Sequence, residues 1–193
     1  YIKLGINDGV GDSIASYWNY YTSGTDSFIY VFQDTGSMIV YVSNSGDSSN
    51  PSKNDTSTAF NKIEYALNYL NPDNGYDTIY LFNGIYTETI YITDDTGLWI
   101  KGESRDATVI NPSGDSSTPG LTGIYCNVTN VRFQYFTLTE CGTGVHLFNS
   151  DNTRFDSIYV SYCGNSSNAG IIVQNSDTVY IVTTSFTNNY KAL

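Results

Sequence analysis

Alternating apolar and polar positions recur in three similar segments of the last third of the chain. Residues 131–141 align with residues 153–163 at an offset of 22, and residues 179–189 form a weaker third copy at a further offset of 26. A period of two is typical of β-strands, in which successive side chains face opposite sides. A repeat of this length built from short strands predicts a solenoid of stacked coils.

Short strand-like segments also precede these copies. They are separated by Gly and Asn turns and lie at residues 77–82, 83–86, 88–93, 98–102, 108–110 and 123–126. About three strands per repeat is the pattern of a parallel β-helix, and residues 76–193 are long enough for about five coils. The 18 tyrosines, together with Thr and Val, also favour strands. The predicted fold class is therefore all-β.

The first 38 residues lack this pattern. They are predicted to form a strand and aromatic extension, so that the β-helix with its capping helix covers residues 39–193. Residues 27–32 and 38–42 are apolar segments on either side of a turn that contains Gly36, which predicts a β-hairpin.

One segment has the period of a helix. Its apolar residues recur three to four positions apart and are Phe60, Ile63, Leu67 and Leu70, with Ala66 beside them. They predict a helix over residues 57–70 that ends before Pro72. The candidate N-cap residues are Thr56, Ser57 and Thr58. Because the end of a β-helix exposes strand edges and apolar interior, this helix is expected to cap the first coil.

The order of these segments matches a known signature. The strand at 40–43, the loop at 46–51, the helix and the strand-like segments at 76–81 and 83–88 follow one another closely. This arrangement resembles the N-terminal signature of right-handed parallel β-helix proteins of the pectate-lyase-like superfamily, over residues 39–193. The resemblance implies a right-handed coil. It implies little about activity, because the superfamily contains lyases, epimerases, adhesins and envelope proteins.

Composition favours an exported protein. The net charge of −11 argues against a nucleic-acid partner, and no run of about 18 apolar residues predicts a membrane span. Only 14% of residues are charged, so hydroxyl, amide and Tyr side chains must carry the surface. The chain is expected to be extracellular, at the cell surface, and processed before Tyr1. Its glycosylation sequons begin at Asn54, Asn127 and Asn165.

The acidic residues do not predict a catalytic centre. The resemblance implies that lyases of the superfamily hold Ca²⁺ with clustered carboxylates, and the candidates here are Asp94, Asp95, Asp115, Asp151 and Asp177. All of them fit turn chemistry better, since Asp hydrogen-bonds its own backbone in turns. The motif residues of the glycosidases and esterases of this fold are not found. No catalytic residue, metal site or cofactor is predicted, and the chain is more consistent with a non-enzyme.

The basic residues and the single histidine have simple interpretations. Arg132 and Arg154 occupy one repeat position and are expected to form a solvated ladder, relieved by Glu140 and Asp156. His146 lies at an alternating strand position, which favours a packing role over catalysis. Cys141 and Cys163 also occupy one repeat position, which is compatible with stacked free thiols, the favoured alternative, or with a disulfide.

Two functions remain open. The first is a structural envelope or filament subunit that assembles with copies of itself into a hoop, tube or fibre through its ends and through strand pairing. The expected assembly residues are Ile2, Leu4, Phe28, Tyr30, Phe32, Phe186 and Tyr190. The hydroxyl- and Tyr-rich character also resembles that of archaeal cell-envelope members of the superfamily.

The alternative is a polysaccharide partner. The chain would then be a pectate-lyase-like enzyme or a carbohydrate-binding module, or a piece of one. Its sugar-stacking patch would consist of Tyr17, Trp18, Tyr20 and Tyr21.

Overall fold

The computed structural model describes residues 38–46, 58–70, 77–94, 96–112, 121–164 and 169–190, together with the backbone of short strands between residues 2 and 28. The chain divides into two compact units, Tyr1–Gly36 and Ser37–Leu193. The first contains three antiparallel pairs: β1 (Ile2–Lys3) with β4 (Tyr17–Trp18), β2 (Ile6–Asn7) with β3 (Ser13–Ile14), and β5 (Tyr21–Ser23) with β6 (Asp26–Phe28).

The second unit is built from three parallel sheets. The first sheet contains β7 (Ile39–Val42), β8 (Thr78–Leu81), β11 (Trp99–Gly102), β14 (Arg132–Gln134), β17 (Thr153–Asp156) and β20 (Val179–Val182). The second contains β9 (Gly84–Tyr86), β12 (Thr108–Ile110), β15 (Thr137–Thr139), β18 (Tyr159–Ser161) and β21 (Ser185–Thr187). The third contains β10 (Ile90–Ile92), β13 (Thr122–Cys126), β16 (Thr143–Phe148) and β19 (Ile171–Gln174). From β8 onward the chain visits the sheets in this order, so each circuit is one coil of a parallel β-helix.

The register confirms the repeat that the sequence predicts. Arg132 pairs with Arg154, and Arg154 pairs with Tyr180, which reproduces the two offsets along the chain. Equivalent side chains therefore stack from coil to coil. In the first sheet, the inward row of Ile79, Ile100, Phe133 and Phe155 is fully buried. The rings of Phe133 and Phe155 stack with centroids 5.1 Å apart. These rows are the apolar core.

The capping helix is shorter than predicted. Helix α1 spans Ile63–Tyr69, whereas Phe60 forms a parallel bridge with Val42. The predicted N-terminal capping by Thr58 is wrong, because the N-cap position is Lys62, whose side chain makes no capping hydrogen bond. Glu88 caps the helix instead, since its two carboxylate oxygens accept hydrogen bonds from Ile63 N at 2.9 Å and Glu64 N at 3.0 Å.

The face of α1 matches the prediction. Its buried residues are Ile63 and Ala66, and Leu70 just beyond it is also buried. They pack on the interior of the first coil, as expected of a cap. No helix within the described ranges is both long and apolar enough to cross a membrane.

The predicted hairpin between residues 27–32 and 38–42 lies partly outside the described residues. The described part of its first segment belongs to β6, which pairs with β5, and β7 pairs in parallel with β8. The apolar strand β7 begins the first sheet, and its inward residues Val40 and Val42 are buried beneath α1.

Candidate functional site

The outer face of the third sheet carries an aromatic row. Tyr91, Tyr125, His146 and Ile172 are in register on successive coils. The rings of Tyr91 and Tyr125 stack with centroids 4.7 Å apart and planes 13° from parallel. His146 meets Tyr125 edge-on, with a centroid distance of 5.4 Å. We call Tyr91, Tyr125 and His146 the tyrosine ladder.

The strands hold this ladder firmly. On either side of Tyr91, Ile90 and Ile92 point inward and are buried, and Ile124 and Cys126 do the same beside Tyr125. Because a strand alternates its side chains, burial of these neighbours fixes the tyrosines on the outside. Tyr91 keeps 59% of its surface exposed. A large aromatic surface this open is available for binding.

A cleft of about 630 Å³ lies beside Tyr91, between α1 and β10. Its described lining residues are Glu64, Leu67, Asn68, Leu70, Glu88, Thr89, Tyr91, Ile92, Thr93 and Asp94. This volume is within the usual range for small-ligand sites. One end is aromatic and apolar, and the rim is formed by hydroxyl, amide and carboxylate groups.

The charge of the cleft restricts its ligand. Glu64 and Asp94 are exposed at the cleft, while Glu88 is occupied by the backbone of α1. Carboxylates at the rim repel an anion and offer acceptors to hydroxyl groups. The arrangement therefore suits a neutral ligand rich in hydroxyl groups.

His146 is held by a polar contact as well as by Tyr125. Its Nε2 lies 2.8 Å from the Oε1 of Gln174 on the next coil. The side chain is half-buried on the outer face, at the position that Ile172 takes in the next coil. These contacts fix the end of the tyrosine ladder.

The acidic residues of the sequence analysis lie apart from one another or in turns. Asp151 and Asp177 stack in matching turns, where Asp177 N donates to the Oδ1 of Asp151 at 2.7 Å. Asp95 and Asp115 lie outside the described residues. In the described part of the chain, no group of three or more His, Cys, Asp or Glu side chains is arranged to hold a metal ion.

The predicted arginine ladder has one of its two expected partners. Arg132 and Arg154 both reach the Oδ2 of Asp156, at 3.1 and 3.5 Å. Burial opposes ionisation of Asp156, but hydrogen bonds from Ser157 and Arg132 and the two guanidinium charges outweigh it, so its pKa lies below the usual value. Glu140 accepts a hydrogen bond from Asn111 at 2.7 Å.

The remaining site predictions are distributed over the chain. Of the sequon asparagines, Asn127 is half-buried and accepts a hydrogen bond from Asn149, while Asn54 and Asn165 lie outside the described residues. Phe186 packs partly buried against the core, and Tyr190 is exposed. Ile2 and Phe28 lie on β1 and β6. Leu4, Tyr30 and Phe32 lie outside the described residues, as do the side chains of Tyr17, Trp18, Tyr20 and Tyr21.

Cys141 and Cys163 are free, buried thiols. A hydrogen bond with Cys163, together with burial, raises the pKa of Cys141. The favoured interpretation of these residues as stacked thiols agrees with the structure.

Comparison with known proteins addresses the fold. No protein-family model and no curated protein matches the chain. The solved structure of pectin methylesterase PemA from Erwinia chrysanthemi is similar at a TM-score of 0.50 and 18% identity, over 76% of this chain and 47% of that one. A pectin methylesterase solved in complex with a hexasaccharide has a TM-score of 0.39 and 14% identity, over 77% of this chain and 66% of that one. The chain spans about half the length of PemA.

The fold is therefore a right-handed parallel β-helix, as in PemA. At this identity the likeness concerns the fold alone. The tyrosine ladder escaped the sequence analysis because residues 91, 125 and 146 are not separated by a fixed number of positions. The sequence signal that could have found it is a tyrosine placed between two apolar residues, as in β10 and β13.

Proposed function

We propose that this chain is a carbohydrate-binding β-helix whose third sheet binds a neutral polysaccharide. The observation that carries the proposal is exposed Tyr91, which stacks on half-buried Tyr125 and lines a cleft of about 630 Å³. A sugar ring has an apolar face that packs on an aromatic ring, and hydroxyl groups that need polar partners at the edge. The cleft offers both kinds of surface side by side.

The geometry suits a polymer. Parallel coils lie about 4.8 Å apart, so the ladder runs along the axis of the β-helix across three coils. A glycan lying along this axis would contact Tyr91 and Tyr125 in succession. Rigid aromatic side chains lose little conformational entropy on binding, which favours them as anchors.

Replacement of Tyr91 tests this function. We expect Tyr91→Ala to weaken binding of the preferred neutral polysaccharide about tenfold, as for an aromatic anchor residue. Tyr162→Ala is the matched control, because Tyr162 is equally exposed at 61% but lies outside the third sheet. Affinity electrophoresis against neutral glucans, mannans and galactans would show the difference. Equal affinities of the two variants, or no retardation by any glycan, would contradict the proposal.

A second candidate function is self-assembly at the cell surface. Inward positions on the last described coil are open: Val173 is 41% and Ile181 39% exposed, whereas their partners Leu147 and Phe155 are buried. Exposed apolar rows flanked by strand edges favour stacking of another β-structure. The proposed occupant is a second copy, with contributions from Phe186, Tyr190 and the N-terminal strands. Such contacts would give a hoop, tube or fibre in an extracellular envelope, as in an archaeal surface layer.

Light scattering with electron microscopy tests this candidate. We expect concentration-dependent assembly that Ile181→Asp abolishes without unfolding the chain. Ile85→Asp is the control, because Ile85 is 59% exposed on the second sheet, away from the last coil. A monomer at all concentrations would exclude self-assembly and leave the carbohydrate proposal untouched.

The extracellular location is part of the proposal. Sequons are modified only in exported chains. Mass spectrometry of the native protein should find glycan on at least one of Asn54, Asn127 and Asn165. A native protein with three unmodified sequons would remove this support for export.

A further inference from the structure

The outer face of the first sheet carries a row of a different kind. Trp99, Arg132, Arg154 and Tyr180 are in register on successive coils. The guanidinium carbon of Arg132 lies 4.7 Å from the centre of a Trp99 ring. The Nζ of Lys101 lies 5.1 Å from a Trp99 ring centre. Two cations therefore lie over one aromatic side chain, and Arg154 continues the row on the next coil.

This face opposes the charge of the rest of the protein. The chain has 8 Lys and Arg residues against 19 Asp and Glu, yet Lys101, Arg132 and Arg154 lie together. Their one ion-pair partner among the described residues is Asp156, which both arginines share. The cluster therefore keeps a net positive charge, although the protein as a whole is acidic.

The same residues line a cleft with unsatisfied donors. The cleft has a volume of about 350 Å³, and its walls include Asn130, Asn152, Trp99, Arg132, Arg154 and Tyr180. Within the described chain, the buried Nε1 of Trp99 and the buried Nε atoms of Arg132 and Arg154 have no hydrogen-bond partner. Because these nitrogen atoms are covered, a ligand in the cleft can reach only the exposed part of the two arginine side chains, which is 38% for Arg132 and 41% for Arg154.

We propose that this cleft binds an oxyanion, a sulfate ester or carboxylate group displayed on a polymer. Guanidinium groups bind such anions with strong, charge-assisted hydrogen bonds, and their flat faces stack on aromatic rings. Arg132 and Arg154 are repeated along the axis of the β-helix. This arrangement suits a polymer with repeated anionic groups better than a single ion. The site is separate from the third-sheet cleft and has the opposite charge.

Fluorescence titration tests the site directly. Trp18 and Trp99 are the two tryptophans, so Trp18→Phe leaves Trp99 as the reporter. In this background, dextran sulfate should change Trp99 emission, and neutral dextran should not. Arg154→Gln should weaken dextran sulfate binding about tenfold. Arg105→Gln removes the same charge from an exposed arginine outside the cluster and should leave the affinity within about twofold.

The outcomes separate the sources of the anion. Saturation by sodium sulfate at constant ionic strength, lost in Arg154→Gln, would show that the group alone is recognised. Binding of dextran sulfate or a polyuronate without binding of free sulfate would show that the polymer is required. Equal effects of Arg154→Gln and Arg105→Gln, or no response to any anion, would overturn the proposal.

Asp156 provides an independent test. Its carboxylate competes for both guanidinium groups, so Asp156→Asn should strengthen dextran sulfate binding several-fold. Asp106→Asn makes the same charge change at an exposed position beside Arg105 and is the control. An equal gain in both variants would show that only net charge matters and would contradict a built site.

Discussion

Corner residues carry the backbone strain of this β-helix. Tyr135, Ser157 and Thr183 occupy the same corner on successive coils, between the first and second sheets, with φ of 59°, 58° and 49°. Side chains other than Gly, Asn and Asp adopt this left-handed conformation at a cost of about 1–2 kcal/mol. The cost is greatest for a β-branched residue, so Thr183 is the most strained of the three.

Thr183→Asn should therefore stabilise the fold. Thr183 is exposed, and Asn accepts the left-handed conformation more easily, so we expect a gain of about 0.5–1 kcal/mol in the free energy of unfolding. Urea denaturation would measure it. Thr178→Asn is the control, because Thr178 is also exposed but has no positive φ. An unchanged or lower midpoint for Thr183→Asn would show that the corner is not strained.

Asp156 should make the free energy of unfolding depend on pH in the acidic range. Its pKa is lower in the folded protein than in the unfolded chain, so its stabilising effect is present above the unfolded value of about 3.9. The effect is lost as the pH falls from there through the folded pKa. Asp156→Asn should reduce the loss of urea stability between pH 5 and about pH 2. An unchanged slope would contradict the ion-pair assignment, and the exposed Asp106→Asn serves as control.

At the level of elements, helix α1 is stabilised by Glu88, a residue between strands β9 and β10. Glu88 caps the first two backbone N–H groups of the helix. Removal of a capping side chain costs about 0.5–2 kcal/mol, so Glu88→Ala should lower the free energy of unfolding by that amount. Glu88→Gln should retain part of it. Thr87→Ala, at the exposed neighbouring position, should have little effect, and equal losses for Thr87 and Glu88 would exclude capping.

Gly144 lies where two neighbouring coils approach each other closely. A Cβ atom at this position would overlap the backbone carbonyl of Gly170 on the next coil. Such overpacking costs about 1–3 kcal/mol, so Gly144→Ala should lower the melting temperature and Gly144→Val should lower it further. Circular dichroism at rising temperature would measure both. A melting temperature unchanged by Gly144→Ala would show that the third sheet is looser than described.

The sequence predicts elements well where the signal is local. The strand alternation and the apolar face of Ile63, Ala66 and Leu70 are correct, because each follows from periodicity within a few residues. The start of α1 is predicted wrongly because its cap, Glu88, comes from a distant part of the chain. The pairing of β7 with β8 also has no local signal, since helix α1 separates the two strands along the chain.

At the scale of the whole molecule, function depends on which side chains share an outer face. The sequence identifies the arginine ladder because Arg132 and Arg154 follow the regular repeat. It does not identify Trp99 as their neighbour, nor the tyrosine ladder, because those residues are not separated by the offsets of the repeat. The assembled coils place an aromatic, acidic cleft on one sheet and a basic, aromatic cleft on another. Two surfaces of opposite charge on one rigid scaffold favour binding of glycans over a purely structural role.

A crystal structure with a bound neutral oligosaccharide tests the account most directly. The ligand should be the fragment of the polysaccharide that wild-type protein retards most strongly. We predict one sugar ring packed on Tyr91 or Tyr125, with its hydroxyl groups directed to the cleft beside α1. A sugar bound only on another face, with the tyrosine ladder unoccupied, would contradict the proposed function.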